Sequence, residues 1–293
     1  MEQSPLQPTP VGAFRFNSDS SNLEYYDGNQ WVNITSTSPD AQTGGTRGVI
    51  HVGQDNTTLV DNIQYINADT TGNATDFGNS AESRHSGAAW SSRTRGVFAA
   101  GRDAPGNVNR IDYITISSTG NAIDFGDISD SLVRYPTGLS DATRGILIGG
   151  YPGSSPVNEM RYVTIAATGN TVDFGNLTAV SYGGAGIASP TRGVIAHGHG
   201  PSARVNTIDY ITIATLGNAA DFGDNTQEVH GLFGCSNAVR GIFAGGYLAS
   251  GIQNAITYIT NATLGNAIDF GDFVDSMEPL GAMGCSNGHG GLG

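Results

Sequence analysis

The residue types that could carry chemistry in this chain are few, and most of them lie in glycine-rich segments. His197 and His199 could be two ligands of a metal ion, but nothing nearby supplies a third ligand at a defined spacing. Glu82, Glu228 and Glu278 could serve glycoside hydrolysis, which needs two carboxyl groups about 5–10 Å apart. These three acids are scattered and show no paired arrangement. We therefore expect a non-enzymatic chain with no catalytic residues, no metal and no cofactor.

A second group of charged residues recurs at constant intervals. An Arg-Gly motif and an Asp-Phe-Gly motif each occur five times, at spacings of 48 or 49 residues. The charges could line a pore, but their repetition favours a scaffold role, either as a buried Arg–Asp pair or as Arg bonded to turn carbonyls. Each buried charge needs such a partner, because burying an unpaired one is costly. The repeated residues are Arg47, Arg95, Arg144, Arg192, Arg240, Asp76, Asp124, Asp173, Asp221 and Asp269.

The repeated unit predicts the fold class. Repeats of 20–50 residues are typical of solenoids, propellers or arrays. In the fourth copy, residues 192–196, 206–213, 219–223 and 230–235 form four short apolar or glycine-rich segments without helical periodicity. Four short strands per unit are typical of a propeller blade, and the glycine-rich strand suits the crowded innermost position. We expect an all-β chain.

The two ends of the repeat array predict how many blades there are. No glycine-rich strand precedes Arg47, whereas 280–288 is such a strand with no copy after it. We expect 280–287 to complete the first blade, which gives a five-bladed β-propeller at 41–293, closed by a C-terminal inner strand. A small N-terminal β-meander occupies 1–40. The alternative is an open β-solenoid.

Cysteine usage and charge exclude several classes of partner. Cys235 and Cys285 lie at equivalent places in successive copies, so we expect two copies of one core residue rather than a disulfide. The net charge is −13 and the 13 basic residues are all arginine. An acidic surface argues against nucleic acid and against anionic membranes. No apolar run reaches the ~18 residues of a membrane span, so we expect no membrane insertion.

The segments that do not repeat indicate where a ligand would bind. Two loop sets differ in every copy, and with the glycine-rich strand innermost both emerge on one face. Tyrosine offers a flat apolar ring and a hydroxyl, and the acidic net charge favours a neutral glycan or a protein over an anionic polysaccharide. The alternative is that these loops vary because nothing constrains them. The candidate ligand-binding residues are Tyr135, Tyr151, Tyr182 and Tyr247.

The unit also resembles a known repeat. Its motifs are Arg-Gly-apolar-Gly-Gly, then Tyr-Ile-Thr-Ile, then Gly-Asn-Ala-x-Asp-Phe-Gly, and they cover 46–293. They resemble Kelch-like repeats, and look most like those in virion structural proteins of marine tailed phages, particularly cyanophages. Residues 12–17, 23–28 and 31–35 are similar to a short module of phage tail-fibre and appendage proteins, and 289–292 resembles the endings of such proteins.

This resemblance implies a phage virion structural protein, associated with a tail fibre or appendage, assembled in the host cytoplasm and contacting other virion proteins. It supplies no catalytic residues. A meander of about 25 residues is too small to be stable alone. We therefore expect 1–40 to mediate attachment or homo-oligomerisation, with a trimer suggested by the threefold symmetry common in phage fibres, and the propeller to contact a host-surface glycan or protein. The alternative is a lectin-like or protein-binding module whose main activity is binding.

Overall fold

The structure is a computed structural model, and it describes residues 9–17, 22–34, 45–55, 58–129, 132–274 and 283–286. Every element in these ranges is a β-strand, which confirms the all-β class. No described segment is a helix long and apolar enough to span a membrane. The chain divides into two compact units, Met1–Gln42 and Thr43–Gly293.

The first unit contains one small antiparallel sheet. Its strands are β1 (Phe14–Asn17), β2 (Asn22–Tyr26) and β3 (Trp31–Asn33), in the order β1-β2-β3. On one face, Arg15 stacks on Trp31 at 4.3 Å and pairs with Glu24 at 2.6 Å. On the other face, Phe14 lies opposite Tyr25 and Phe16 opposite Leu23, and these four apolar side chains are exposed.

The second unit consists of short strands in repeating groups. The first group is β4 (Arg47–His51), β5 (Gln54–Asp55), β6 (Thr58–Leu59), β7 (Asn62–Asn67) and β8 (Thr75–Asn79). The second is β9 (Ala88–Ser91), β10 (Arg95–Ala99), β11 (Arg110–Thr115) and β12 (Ile123–Asp127), and the third is β13 (Thr137–Ser140), β14 (Arg144–Ile148), β15 (Glu159–Thr164) and β16 (Val172–Asn176). The fourth is β17 (Ala185–Ala188), β18 (Arg192–Ala196), β19 (Thr207–Thr212) and β20 (Ala220–Asp224). The last strands are β21 (Phe233–Ser236), β22 (Arg240–Ala244), β23 (Tyr247–Leu248), β24 (Gly251–Ile252), β25 (Ala255–Thr260), β26 (Ile268–Asp272) and β27 (Met283–Ser286).

These strands form five four-stranded antiparallel sheets, which we number I to V. Sheet I has the order β27-β4-β7-β8, sheets II, III and IV are β9 to β12, β13 to β16 and β17 to β20, and sheet V is β21-β22-β25-β26. Pairs β5–β6 and β23–β24 are small hairpins. In sheet I, Met283 pairs with His51 and Ser286 with Gly48. The predicted pairing of a C-terminal strand with the first repeat is therefore present at 283–286; 280–282 and 287 lie outside the described residues.

The sheets pack face to face because their middle strands are apolar on both sides. In β11, Ile111 and Ile114 lie on opposite faces and both are buried. The inner strands lie side by side in the order β27, β9, β13, β17, β21. This order gives a core between each pair of successive sheets from I to V, as in sheets that pack face to face.

A constant set of backbone contacts joins each sheet to the next. At the II–III junction, Gly169 N donates to the Phe125 carbonyl at 2.7 Å, and the Asn170 side chain accepts from the N–H of Asp127 at 3.0 Å. Gly126 has φ of 147°, and a Cβ atom there would overlap the Gly169 carbonyl, so only glycine lets the turn approach. The same contacts recur at I–II through Gly120 and Asn121, at III–IV through Gly217 and Asn218, and at IV–V through Gly265 and Asn266.

The repeated arginines cross these junctions. Arg144 Nη1 donates to the Ile213 carbonyl of the next sheet at 2.8 Å, and its guanidinium stacks on Tyr162, which meets Phe174 edge-on. Arg47, Arg95 and Arg192 do the same with the carbonyls of Ile116, Ile165 and Asn261. Arg240 stacks on Tyr258.

Of the two predicted scaffold arrangements, the bond to carbonyls is therefore the one present. The five repeated aspartates are exposed on the outer strands, and the ion pairs among described residues do not include them.

The side of sheet V away from sheet IV and the side of sheet I away from sheet II differ from the four formed junctions. Phe270 is 50% exposed, whereas its equivalents Phe77, Phe125, Phe174 and Phe222 are each 2% exposed. Ile66 on sheet I is 39% exposed, whereas its equivalent Ile114 is 2% exposed. Cys235 is exposed, so its expected place in the core is wrong here. Its equivalent Leu139 is buried because sheet IV covers sheet III, whereas sheet V presents this side to solvent.

The Arg contacts predict a difference between two equally repeated charges. Arg144→Ala should lower the free energy of unfolding by about 2–4 kcal/mol, because it removes a hydrogen bond from a charged donor and a cation–π contact. Asp173→Ala is the matched control, and it should change the free energy by under about 0.5 kcal/mol, as is usual for an exposed residue. Urea unfolding of both variants checks this, and equal losses would contradict the assignment of the arginine to the junction.

Candidate functional site

The edge of the sheets where the variable loops emerge carries a regular ring of paired residues. In sheets II to V, one residue just before the inner strand forms an antiparallel bridge with a residue shortly after the end of the second strand. In sheet III the pair is Arg134 and Tyr151; in sheet IV it is Tyr182 and His199. We call the paired residues of sheets II to V the edge ring: His85, Arg102, Arg134, Tyr151, Tyr182, His199, His230 and Tyr247.

Backbone hydrogen bonds link this ring from sheet to sheet. The N–H of Tyr135 donates to the Ser86 carbonyl at 2.7 Å, that of Gly183 to the Tyr135 carbonyl at 2.8 Å, and that of Gly231 to the Gly183 carbonyl at 2.6 Å. All four donors and acceptors lie one residue after an edge-ring residue. The chain of bonds fixes the spacing of side chains that come from four different sheets.

Tyr135 is in a strained conformation at this edge. These four linking residues have φ between 55° and 71°, and two of them are Gly183 and Gly231. Tyr135 and Ser86 adopt the same left-handed region without being glycine. Such a residue costs of order 1 kcal/mol or more and persists where the surroundings hold it. A tyrosine ring is therefore kept at 135 although glycine would suit the backbone better.

Aromatic rings from sheets III to V contact one another at the edge. The centroid of Tyr182 lies 5.2 Å from that of Tyr151, 5.2 Å from that of His199 and 6.2 Å from that of Tyr135. His230 lies 5.9 Å from His199 and 5.7 Å from Tyr247. A cavity of about 280 Å³ opens beside them, lined by Arg134, Tyr135, Tyr151, Tyr182 and His199 together with loop residues of sheets III and IV.

Arginines control the charge of this cluster. Arg134 lies over the faces of Tyr151 and Tyr135, at 5.2 and 5.6 Å from the centroids. Arg204 Nε donates to His230 Nδ1 at 3.0 Å, so the proton of neutral His230 is on Nε2. Burial lowers the pKa of His230, and the charge of Arg204 lowers it further. Burial and the charges of Arg102 and Arg134 likewise lower the pKa of His85, so both imidazoles are neutral at pH 7.

Tyr182 lies at the centre of the cluster. Burial raises the pKa of its hydroxyl, and the neighbouring hydroxyl of Tyr151 raises it further. The phenol is therefore neutral at pH 7 and keeps a proton to donate. His199 Nδ1 donates to the Gly200 carbonyl at 2.6 Å, which leaves its Nε2 as an acceptor when the ring is neutral. The cluster thus offers flat apolar faces, one phenolic donor, one imidazole acceptor and a guanidinium.

The two histidines that could have formed a metal site are held apart. His197 is fully buried, and its Nε2 contacts Asp209 Oδ2 at 2.8 Å inside sheet IV, whereas His199 belongs to the edge ring. Among the described residues, no group of three His, Cys, Asp or Glu side chains is placed to hold a metal ion.

The two described acids among those considered for catalysis lie in loops of different sheets. Glu82 pairs with Arg110 at 3.3 Å, and Glu228 is exposed in the loop between sheets IV and V. Glu278 lies outside the described residues.

The structure brings the four predicted tyrosines to one edge, as the variable loops indicated. Tyr135, Tyr151 and Tyr182 line the cavity, and Tyr247 is separated from it by His230. Sequence reasoning missed Arg134, His199 and His230 as members of this cluster. Their shared place in the repeat, directly before the inner strand or after the double glycine, could have identified them.

Comparisons with known proteins leave the family open. No family model matches the chain, and a search of curated proteins finds no match.

Proposed function

We propose that the five sheets are the blades of a closed five-bladed β-propeller. Four junctions repeat the same contacts, and the unfilled sides of sheets V and I carry the same residue types as the filled ones. Phe270 and Gly271 would receive the turn at Gly72 and Asn73, and Arg240 would reach the carbonyl at Ala68, which occupies the place of Ile116. Closure would bury two apolar sides that each face solvent otherwise, and it would leave no blade exposed on one side.

Closure predicts that an exposed phenylalanine behaves as a buried one. If sheets V and I meet in solution, Phe270→Ala should lower the free energy of unfolding as much as Phe174→Ala, by about 3–5 kcal/mol. If the junction stays open, the loss at Phe270 should be less than half of the loss at Phe174. Urea unfolding of the two variants decides, with light scattering to show that the chain does not close on a second copy instead.

We propose that this propeller is a non-enzymatic binding protein whose ligand contacts the edge cluster. The observation that carries the proposal is the convergence of Tyr135, Tyr151, Tyr182 and His199 from two sheets around one cavity. The strained backbone at Tyr135 adds support, since strain of this kind concentrates at functional sites. A rigid, repeated scaffold with one variable edge is a common way to build such a surface.

The virion assignment is the second part of this proposal, and the Kelch-like resemblance carries it. In that setting the chain is an appendage or tail-fibre-associated structural protein that touches other virion proteins and presents the edge cluster to the host surface. An antibody against the chain should label the tail or an appendage of purified virions in electron micrographs. Absence of the chain from every purified virion of its phage would leave the alternative, a lectin-like or protein-binding module.

A substitution that removes the ring without straining the fold tests the binding role. Tyr135→Gly should leave the free energy of unfolding within about 1 kcal/mol of the parent, because relief of strain offsets the greater entropy of unfolded glycine. Ser86→Gly is the matched control, with the same backbone change outside the cavity. The labelled Tyr135→Gly chain should lose binding to host cells in flow cytometry while Ser86→Gly keeps it; equal binding by both would reject the edge cluster as the binding surface.

We further propose that the small N-terminal sheet joins copies of the chain, with a trimer as the expected state. Phe14, Phe16, Leu23 and Tyr25 form an apolar face that needs a cover, and a sheet of three strands cannot supply one itself. Phe14→Ser with Phe16→Ser should convert the oligomer to a monomer in light scattering, as should a chain that begins at Gly44. Arg15→Gln, on the opposite face, should leave the mass unchanged. A monomeric parent chain would contradict this part of the proposal.

A further inference from the structure

The edge cavity carries positive charge in a protein that is strongly acidic. The net charge of the chain is −13, yet the described lining of this cavity contains Arg134 and neither Asp nor Glu. A second cavity of about 340 Å³ adjoins it and is lined by both Arg102 and Arg134, again without a described acid. Arg204 lies at the same edge, where it is bonded to His230. Three of the 13 arginines thus meet at one edge.

Arg134 is poised for an external partner. Among the described residues its guanidinium contacts only the faces of Tyr135 and Tyr151, and its Nε is buried without a hydrogen-bond partner. The fully buried Arg84 also has an unpaired Nε, but its terminal nitrogens bond Asp112 at 3.0 Å and two carbonyls, whereas the guanidinium of Arg134 makes no such bond among the described residues. A buried N–H left unpaired is costly, and the guanidinium fork matches a carboxylate with two parallel hydrogen bonds.

We propose that this cavity binds a saccharide that carries a carboxylate, of the uronic-acid type, with Arg134 pairing the carboxylate and Tyr182 or Tyr151 stacking on the sugar ring. The inference rests on the proposed binding function and specifies its ligand. It replaces the expectation, drawn from net charge, of a neutral glycan. Neighbouring tyrosine faces suit the flat apolar side of a pyranose, and the hydroxyl of Tyr182 and Nε2 of His199 suit its hydroxyl groups.

A saccharide fits these contacts better than an acidic peptide. The cavity is small, about 280 Å³, and its lining combines aromatic rings with residues of the variable loops, which suits a sugar unit better than a length of peptide. An Asp or Glu side chain of a protein could reach Arg134, but it would leave the tyrosine faces without a flat partner. The acidic peptide is therefore one outcome of the test.

The experiment is calorimetric titration of the full chain with a galacturonic acid trimer, with its neutral methyl ester and with a glutamate trimer. We expect the acid to bind, and the ester and the peptide to bind about 10-fold more weakly or worse. Arg134→Gln should weaken binding of the acid about 10- to 100-fold, the change that corresponds to one hydrogen-bonded ion pair. Arg93→Gln, which removes the same charge from the opposite edge, should bind as the parent does.

The other outcomes overturn the inference and are distinguishable from failure of the binding function itself. Equal binding of acid and ester would show a site that ignores charge, and the edge cluster would remain the binding surface. Equal binding of the glutamate trimer would show a carboxylate site without sugar selectivity. Equal weakening by Arg134→Gln and Arg93→Gln would show an effect of net charge alone. No binding of any probe, with host-cell binding still lost in Tyr135→Gly, would reject uronic-acid recognition alone.

Discussion

The rest of the second unit depends on one close approach, between the glycine of Asp-Phe-Gly and the Gly-Asn turn of the next sheet. At Gly126 the absence of a side chain lets the Gly169–Asn170 turn bond the backbone on both sides of it. That contact covers Phe125 and brings the next sheet within reach of Arg95, whose guanidinium bonds Ile165. The Gly-Asn turn of each sheet has to lie beside the Asp-Phe-Gly segment of the sheet before it. This requirement explains why the motifs recur at intervals of 48 or 49 residues.

Because these contacts lie on the outer strands and at one edge, they leave the opposite edge free to vary. The variable edge is organised mainly by backbone, through the bridges of the edge ring and the hydrogen bonds that link Ser86, Tyr135, Gly183 and Gly231. Its side chains take no part in the repeated Arg and Gly-Asn contacts that join the sheets. Tyr135 is held in a left-handed backbone conformation that a tyrosine disfavours. A residue that conflicts with its own backbone conformation is expected where function rather than stability selects it.

The repeat period predicted the strands, their order and the use of 283–286 in the first sheet, because each follows from counting residues. The partner of the repeated arginine did not follow, because it is a carbonyl of the next sheet, 69 or 70 residues away along the chain. The side on which the repeated aspartate lies did not follow either, because a β-bulge lies next to it. The pairing of β11 with β12 shifts register between Ile111 and Asp112, and the other four sheets shift at the same place. A bulge reorients one strand against the next, so alternation along the sequence does not predict the side on which residues of the outer strand lie.

The composition of the edge cluster escaped prediction for a related reason. The tyrosines were found because their loops vary. Arg134, His199 and His230 can be recognised as one cluster only when the strand ends of sheets III, IV and V are seen side by side. Net charge does not describe this edge, since it averages over the whole surface. The repeated aspartates stand on the outer strands, and charges more than about 8 Å away are largely screened at physiological salt. The charged side chains among the described lining of the two cavities are Arg102 and Arg134. Burial and nearby arginines lower the pKa of His85 and of His230, so these two rings add no charge at pH 7.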